Sequence, residues 1–181
     1  MLRFKFLDLT VLFYVAAGAI YYRSSNLYCS IKDTRFKRNS ASNYGGSMVV
    51  YSQNNNFVLS NNSFVEEAAV EFGGAVFMDS NHINVTIADC SFVSSTAQFG
   101  GALFFETSNE EVTLSNCDIS LCTAVKDGGG IYLDSGNINF IFHEVVLNDN
   151  HAVNGGGMFV DTDNNNLLLE NVKMNGNSAT G

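Results

Sequence analysis

A repeat of 27 or 28 residues runs through almost the whole chain and limits the folds that it can adopt. Six small-residue steps, each followed by a short apolar stretch, recur at this interval. The central residues of the steps, separated by 28, 28, 27, 28 and 27 positions, are Gly18, Gly46, Gly74, Gly101, Gly129 and Gly156. Such a period is typical of solenoids, in which each repeat packs only on its neighbours.

Two further sets of equivalent positions keep the same phase. A large apolar residue lies 18 residues after each glycine, and an alanine follows five residues later. The large apolar residues are Phe36, Phe64, Phe92, Ile119, Leu147 and Met174. The alanines are Ala41, Ala69, Ala97, Ala124, Ala152 and Ala179. All variation in repeat length therefore falls in the turn between each alanine and the next glycine.

Each repeat contains three short stretches rich in β-branched and aromatic residues, and each stretch is too short for a helix. In one repeat they are residues 76–78, 85–87 and 90–92. We therefore predict an all-β fold, a parallel β-helix of about six coils with three short strands per coil. At about 4.8 Å per coil, six coils make a rod of about 29 Å.

Asparagine marks the turns between these stretches. The chain has 23 asparagines and no proline, a composition that favours many tight turns. One column of equivalent positions holds Asn26, Asn54, His82, Asn109, Asn137 and Asn164. Side-chain amides stacked in register can donate and accept hydrogen bonds along a column, so we expect an asparagine ladder here. The glycines are expected to supply positive φ or a close backbone approach.

The formal net charge of −9 is unevenly distributed. Residues 1–40 contain seven basic and two acidic residues. Residues 41–181 contain two basic residues, Lys126 and Lys173, and sixteen acidic residues. Phosphate binding needs a basic face, so this balance argues against nucleic acid as a partner. A polysaccharide lyase needs Arg or Lys beside its carboxylates, and a glycosidase needs two spaced acids. Neither arrangement is evident, and we predict that the chain is not an enzyme.

A column of carboxylates is the best candidate site. It comprises Asp79, Glu106, Asp134 and Asp161. Stacked like charges repel, so the column either faces water or is neutralised by a cation. Calcium is the cation that such oxygen ligands would suit. The alternative is a set of solvated strand ends whose carboxylates accept backbone N–H bonds in the turn. No other cofactor is expected.

An aromatic column accompanies the first stretch of each repeat. It contains Tyr21, Phe77, Phe104, Tyr132 and Phe159. Since both neighbours of each ring are also apolar, one face of this strand forms core. The other face either packs around the corner or contacts a covering segment or a partner. Outward-facing rings could stack sugars.

Cysteines and sequons give weaker signals. Cys90 and Cys117 occupy the same position one coil apart, and we expect two stacked buried thiols. A disulfide is the alternative, because the coil spacing falls within the allowed Cα separation. Asn61 and Asn84 begin glycosylation sequons.

Residues 1–19 allow two interpretations. Basic residues precede an apolar run, and Ala17–Ala19 has the form of a signal-peptidase site. The same residues fall in repeat register, so they also fit a degenerate first coil before the repeat domain of residues 20–181. The run is too short for a transmembrane helix, so we expect membrane anchoring only through regions outside this chain. The chain stops where the next glycine corner is due, and we expect a fragment of a longer array.

The paired motifs resemble the repeat of the chlamydial polymorphic outer membrane proteins, and similar repeats occur in protist surface proteins. Residues 73–76 and 100–103 match the GGAI motif of that family, and Phe36 with Asn39 matches its FxxN motif. The departures from FxxN are Phe64 with Glu67, Phe92 with Ser95, and Ile119 with Cys122. The resemblance implies a right-handed parallel β-helix of the pectin-lyase type in a surface-exposed, adhesin-like region. It implies no catalytic residues.

These features predict a non-catalytic cell-surface or secreted β-helix, adhesin-like or a structural stalk. The expected location is the cell surface, the extracellular space or the outer membrane. A surface glycan or a protein is the expected ligand. The alternative is a carbohydrate-binding or polysaccharide-cleaving β-helix, which would differ by losing its activity with a single carboxylate.

Overall fold

The computed structural model describes residues 17–181, which form a parallel β-solenoid of six coils and contain no helix. The predicted all-β solenoid is confirmed. Coils one to six comprise residues 17–44, 45–72, 73–99, 100–127, 128–154 and 155–181. Every strand pairs in parallel with the equivalent strands of the coils above and below, for example Phe36 with Phe64 and Phe64 with Phe92.

Four six-stranded sheets run along the solenoid. The first sheet contains β1 (Ile20–Tyr22), β5 (Met48–Val50), β9 (Val76–Met78), β13 (Leu103–Phe105), β17 (Ile131–Leu133) and β21 (Met158–Val160). The second contains β2 (Ser30–Lys32), β6 (Val58–Ser60), β10 (Ile83–Ala88), β14 (Glu110–Ser115), β18 (Ile138–His143) and β22 (Asn165–Glu170). The third contains β3 (Arg35–Lys37), β7 (Ser63–Val65), β11 (Ser91–Val93), β15 (Asp118–Ser120), β19 (Val146–Asn148) and β23 (Lys173–Asn175). The fourth contains β4 (Ser40–Ala41), β8 (Ala68–Ala69), β12 (Thr96–Phe99), β16 (Thr123–Asp127), β20 (His151–Ala152) and β24 (Ser178–Ala179).

The fourth sheet is a difference from the three strands per coil that the sequence predicts. Its strands are built on the alanine column, and most have only two residues, as in the pairing of Ala41 with Ala69. Two residues are too few to show the alternation of polar and apolar side chains that reveals a strand. The small side chain suits the position because Ala124 and Ala152 are buried where the chain turns toward the next corner.

The large apolar column forms the centre of the core. The rings of Phe36 and Phe64 stack at 4.6 Å with an interplanar angle of 5°, and those of Phe64 and Phe92 at 4.8 Å with the same angle. All three side chains are fully buried. Ile119 and Leu147 continue the column below them. The core position predicted from the repeat is therefore confirmed.

Positive φ and close backbone approach, the two roles expected of the glycines, belong to two different residues of the small-residue step. The first glycine adopts positive φ, +63° at Gly73 and +62° at Gly100. The central glycine allows the close approach of consecutive coils. A Cβ atom on Gly101 would lie 2.0 Å from the carbonyl oxygen of Gly129. No side chain can be accommodated at that distance.

Asparagine is abundant because many corners of the coil use the left-handed region of φ and ψ. One such column has φ of 60° at Asn84, 59° at Asn139 and 56° at Asn166. Asparagine tolerates this conformation better than other residues with a Cβ atom. The exposed amides also bond between coils, as Asn84 Nδ2 does to Asn56 Oδ1 at 2.7 Å.

Replacement of a central glycine should disrupt the stack. We expect Gly101→Ala to lower the free energy of unfolding by at least about 3 kcal/mol, because its Cβ atom collides with backbone. Gly136→Asn is the matched control: the nearest atom to a Cβ there is 3.9 Å away, although φ is +72°. Asn81 already occupies the equivalent position with φ of 61°. Chemical denaturation of both variants checks this, and equal losses would contradict it.

Candidate functional site

The four predicted carboxylates stand in register just after the C-terminal ends of the strands of the first sheet. Each acid directly follows a strand of that sheet, and the last strand residues Met78, Phe105, Leu133 and Val160 pair in register. The column is therefore a real structural feature. Its members differ in burial and bonding, so they do not form one uniform site.

Asp79 and Glu106 form a hydrogen-bonded acid pair. The hydroxyl of Ser80 lies 3.1 Å from Asp79 Oδ1 and 3.3 Å from Glu106 Oε2, and the Ser52 N–H donates to Asp79 Oδ2 at 3.1 Å. Burial and the neighbouring Asp79 raise the pKa of Glu106 to about 7. Burial also acts to raise the pKa of Asp79, but hydrogen bonds from Glu106, Ser80 and Ser52 outweigh it and lower that pKa. The pair therefore takes up one proton, on Glu106, as pH falls through about 7.

Asp134 and Asp161 make turn contacts instead. Asp134 Oδ1 accepts the Ser135 N–H and Asp161 Oδ1 accepts the Thr162 N–H, both at 2.8 Å. The Tyr132 hydroxyl donates to Asp161 Oδ2 at 2.9 Å. Burial, and then this bond, raise the pKa of Tyr132. These contacts match the alternative in which strand-end carboxylates accept backbone N–H groups.

Within residues 17–181, no group of three or more His, Cys, Asp or Glu side chains is arranged to hold a metal ion. Calcium binding by Asp79, Glu106, Asp134 and Asp161 stays a prediction. The oxygens of Asp79, Ser80 and Glu106 are already hydrogen-bonded among themselves.

The aromatic column packs around the corner of the solenoid in its middle coils. Phe77 and Phe104 are buried, and they lie against a second set of rings from the preceding turn. Phe72 lies 4.7 Å from Phe104, and Tyr44 lies 4.9 Å from Phe77. These rings have no free face for a sugar. Tyr21, at the end of the column, is 41% exposed.

The covering rings were not identified from the sequence. Tyr44, Phe72 and Phe99 stack at 5.6 and 5.3 Å, and the Lys126 ammonium lies 4.9 Å from the centre of the Phe99 ring. Each ring lies two residues before the next central glycine, and the equivalent residues before the last two glycines are Asp127 and Asn154, so the aromatic character does not recur in every coil. Their own spacing of 28 and 27 residues is the signal that could have revealed them.

The predicted asparagine ladder exists, but most of its amides bond to backbone. The Asn109 N–H donates to Asn137 Oδ1 and the Asn137 N–H to Asn164 Oδ1, both at 3.0 Å. His82, the exception in the column, is fully buried. Its Nδ1 accepts the Asn54 N–H at 3.0 Å, and burial lowers the pKa of His82. A neutral imidazole thus replaces an amide.

The cysteines and the remaining histidines do not combine into a site. Cys90 and Cys117 are buried free thiols whose Sγ atoms donate to backbone carbonyls. Burial raises the pKa of Cys122 to about 12. His143 contacts Glu170 at 3.0 Å on the surface, whereas His151 contacts a serine in a different sheet.

The sequon asparagines lie at exposed corners. Asn61 and Asn84 have φ of 54° and 60°, and the Asn61 amide donates to Asp33 Oδ1 at 2.8 Å. Both side chains are at the surface, where an acceptor must lie. Glycosylation of either stays a prediction.

Most of the segment assigned to a signal peptide lies outside the described residues, which start at Ala17. Gly18 and Ala19 continue coil one, since the Ala19 N–H donates to the Ser47 carbonyl at 3.0 Å. Cleavage therefore stays a prediction. The described residues include no helical segment with the length and hydrophobicity that a bilayer span requires.

Two surface cavities of the solenoid lack a pair of acidic side chains. The first, of about 530 Å³, is lined by Asn116, Cys117, Glu144, Val146, Asn171 and Lys173. The second, of about 400 Å³, is lined by Ser25, Leu27, Gln53, Asn55, Asn81 and Ile83. The first contains one acid and the second none, so neither offers the pair of carboxylates that a glycosidase uses.

Comparison with known proteins gave no relatives: no family model, no curated protein and no solved structure matches the chain.

The acid pair should make stability depend on pH. The folded pKa of Glu106 exceeds its ordinary value, so the folded state binds more protons than the unfolded chain from about pH 4.5 to about pH 7. Stability should therefore fall as pH rises through this window. We expect Glu106→Gln to be more stable than the parent above neutral pH, by about 1 kcal/mol, a value reduced for solvent screening. Asp134→Asn is the control. Denaturation at several pH values checks this, and an unchanged pH dependence in Glu106→Gln would contradict it.

Proposed function

We propose that this chain is a non-catalytic, surface-exposed β-solenoid that acts as an adhesin-like surface or a structural stalk. The observation that carries the proposal is the use of polar side chains at the corners of the coils. Asn62, Asn109 and Asn150 stand at three different corners, are buried, and accept backbone N–H groups of the preceding coil at 2.9 to 3.0 Å. Polar side chains at the corners thus maintain the rod.

The resemblance to the chlamydial polymorphic outer membrane protein repeat supports the same function. Its two motifs have structural roles here: Gly74 allows coils to approach, and Phe36 belongs to the central stack. A family built on such motifs uses its β-helix as a surface-exposed region, and we assign this chain the right-handed, pectin-lyase type of β-helix and a cell-surface, secreted or outer-membrane location on that basis.

The distribution of ionisable groups favours a role without catalysis. Asp79 and Glu106 share a proton, but no basic residue stands beside them in the column, and the equivalent position in the coil above is Tyr51. Acid–base catalysis on a polysaccharide needs a second, separated group on the other side of the bond that breaks. The two cavities described above supply none.

A carbohydrate contact is a second candidate, and exposed tyrosines at one end of the rod favour it. Tyr21 and Tyr51 are 41% and 43% exposed, and their ring centres are 6.1 Å apart. Tyr28, on the same coil as Tyr21, is 78% exposed. Flat rings that combine an apolar body with a hydroxyl suit the faces of sugars.

Adhesion should survive the loss of any one carboxylate. Beads coated with the full chain should bind cultured epithelial cells above albumin-coated beads. Asp79→Asn, Glu106→Gln and Asp134→Asn should each stay within about twofold of the parent, because most surface contacts contribute little singly. Gly101→Ala should lose binding with its fold. Absence of adhesion would contradict the adhesin-like role and leave the structural stalk. Loss of adhesion in one correctly folded carboxylate variant would contradict the proposal of a surface without a single essential carboxylate.

The carbohydrate contact has its own test on a glycan array. If the tyrosines bind a sugar, Tyr21→Ala and Tyr51→Ala should each weaken binding by about fivefold or more, the loss of one well-placed aromatic contact. Tyr132→Phe is the control, because that ring is buried in the cluster that also contains Phe104. Equal effects of all three changes, or no binding by the parent, would exclude this second candidate.

A further inference from the structure

A second column of equivalent polar positions contains a glutamate, Glu67, among asparagines and small polar residues. Its members are Asn39, Glu67, Ser95, Cys122, Asn150 and Asn177. The two asparagines at its end define the normal pattern. Asn150 Oδ1 accepts the Cys122 N–H at 2.9 Å, and its Nδ2 donates to the Ile119 carbonyl at 2.9 Å. Asn177 repeats both bonds with coil five.

The same combination of one acceptor and one donor appears at two other corners. Asn62 Oδ1 accepts the Thr34 N–H at 3.0 Å, and its Nδ2 donates to the Ile31 carbonyl at 2.9 Å. His82 provides the combination with Nδ1, which accepts the Asn54 N–H, and Nε2, which lies 3.1 Å from the Val50 carbonyl. Asn62 and His82 therefore offer both functions toward the preceding coil.

Glu67 supplies only the acceptor when it is ionised. It is 1% exposed, and its Oε2 accepts the Asn39 N–H at 2.9 Å and the Ser47 hydroxyl at 2.5 Å. Its Oε1 is buried and has no hydrogen-bond partner. Asn39 Oδ1 and Ser95 Oγ, in the coils on either side, are also buried without a partner. The folded structure therefore buries a carboxyl group with one oxygen unpaired, which is costly when the group is ionised.

We propose that Glu67 is a neutral carboxylic acid in the folded chain, with its proton on Oε1, and that ionisation of Glu67 releases coil one from coil two. A neutral carboxylic acid has one oxygen that accepts and one O–H that donates, the two functions that the amides of Asn150 and Asn177 supply in this column. Loss of the proton leaves a charge on a buried side chain whose Oε1 has no hydrogen-bond partner. That charge is relieved when the corner opens to water.

Glu67 bonds to uncharged groups, the Asn39 N–H and the Ser47 hydroxyl. On coil one, Arg38 is exposed and pairs on the surface with Glu66 at 2.6 Å. On coil three, residues 94–96 are Ser, Ser and Thr. Burial raises the pKa of Glu67 to about 7, although hydrogen bonds from Ser47, Asn39 and Val65 lower it in part. The folded state thus binds the extra proton between about pH 4.5 and about pH 7, so the contact between coils one and two weakens as pH rises.

Hydrogen exchange followed by mass spectrometry tests this on the full chain. Above about pH 7, protection of residues 36–47 should fall by about tenfold per pH unit after correction for the intrinsic rate, because opening requires loss of one proton. Residues 119–130 are the internal control, since Asn150 accepts the N–H of Cys122 in the equivalent place. An equal loss in both segments would overturn the proposal, because it would report a global change.

Variants at two adjacent glutamates identify the group. Glu67→Gln and Glu67→Asn retain a donor and an acceptor, so the pH dependence of residues 36–47 should disappear in both. Glu66→Gln removes the exposed neighbour and should leave that dependence intact. If Glu67→Gln keeps the pH dependence, or Glu66→Gln abolishes it, the proposal is wrong. These outcomes do not depend on whether the chain is an adhesin.

Discussion

The rest of the structure depends on the distance between consecutive coils, which backbone hydrogen bonds set. The Gly74 N–H donates to the Gly100 carbonyl at 3.0 Å, and a Cβ on Gly74 would lie 2.0 Å from the Gly101 carbonyl oxygen. Because one rise applies to every position of the coil, each side chain stands above its equivalent 27 or 28 residues later. Rings stack on rings, and amides reach the next backbone, only because this distance is kept.

This constraint explains why most of the fold could be predicted from the sequence. The glycine, large apolar and alanine columns each repeat at a fixed distance, so their periodicity identifies core and corner directly. The fourth sheet could not be predicted, since strands such as Ser40–Ala41 are too short to show a pattern. The covering rings Tyr44, Phe72 and Phe99 are harder to predict, because their column continues as Asp127 and Asn154 and so is not uniformly aromatic.

The candidate site was predictable in position but not in chemistry. Spacing places Asp79 and Glu106 one above the other, yet the raised pKa of Glu106 depends on its burial and on Asp79 beside it. For Glu67, the sequence shows a departure from the FxxN motif. It does not show that the side chain is buried, where an unpaired oxygen becomes costly.

A solenoid confines such departures to one interface, because each coil contacts only its neighbours. His82 and Glu67 each replace an asparagine, and each affects the bonds to the coil directly above it. The backbone stack on either side continues unchanged, as the pairing of Phe36, Phe64 and Phe92 across the Glu67 coil demonstrates. Side chains on the outer surface and at single corners can therefore vary while the rod is retained, whereas the central glycines, which allow the close approach of consecutive coils, cannot.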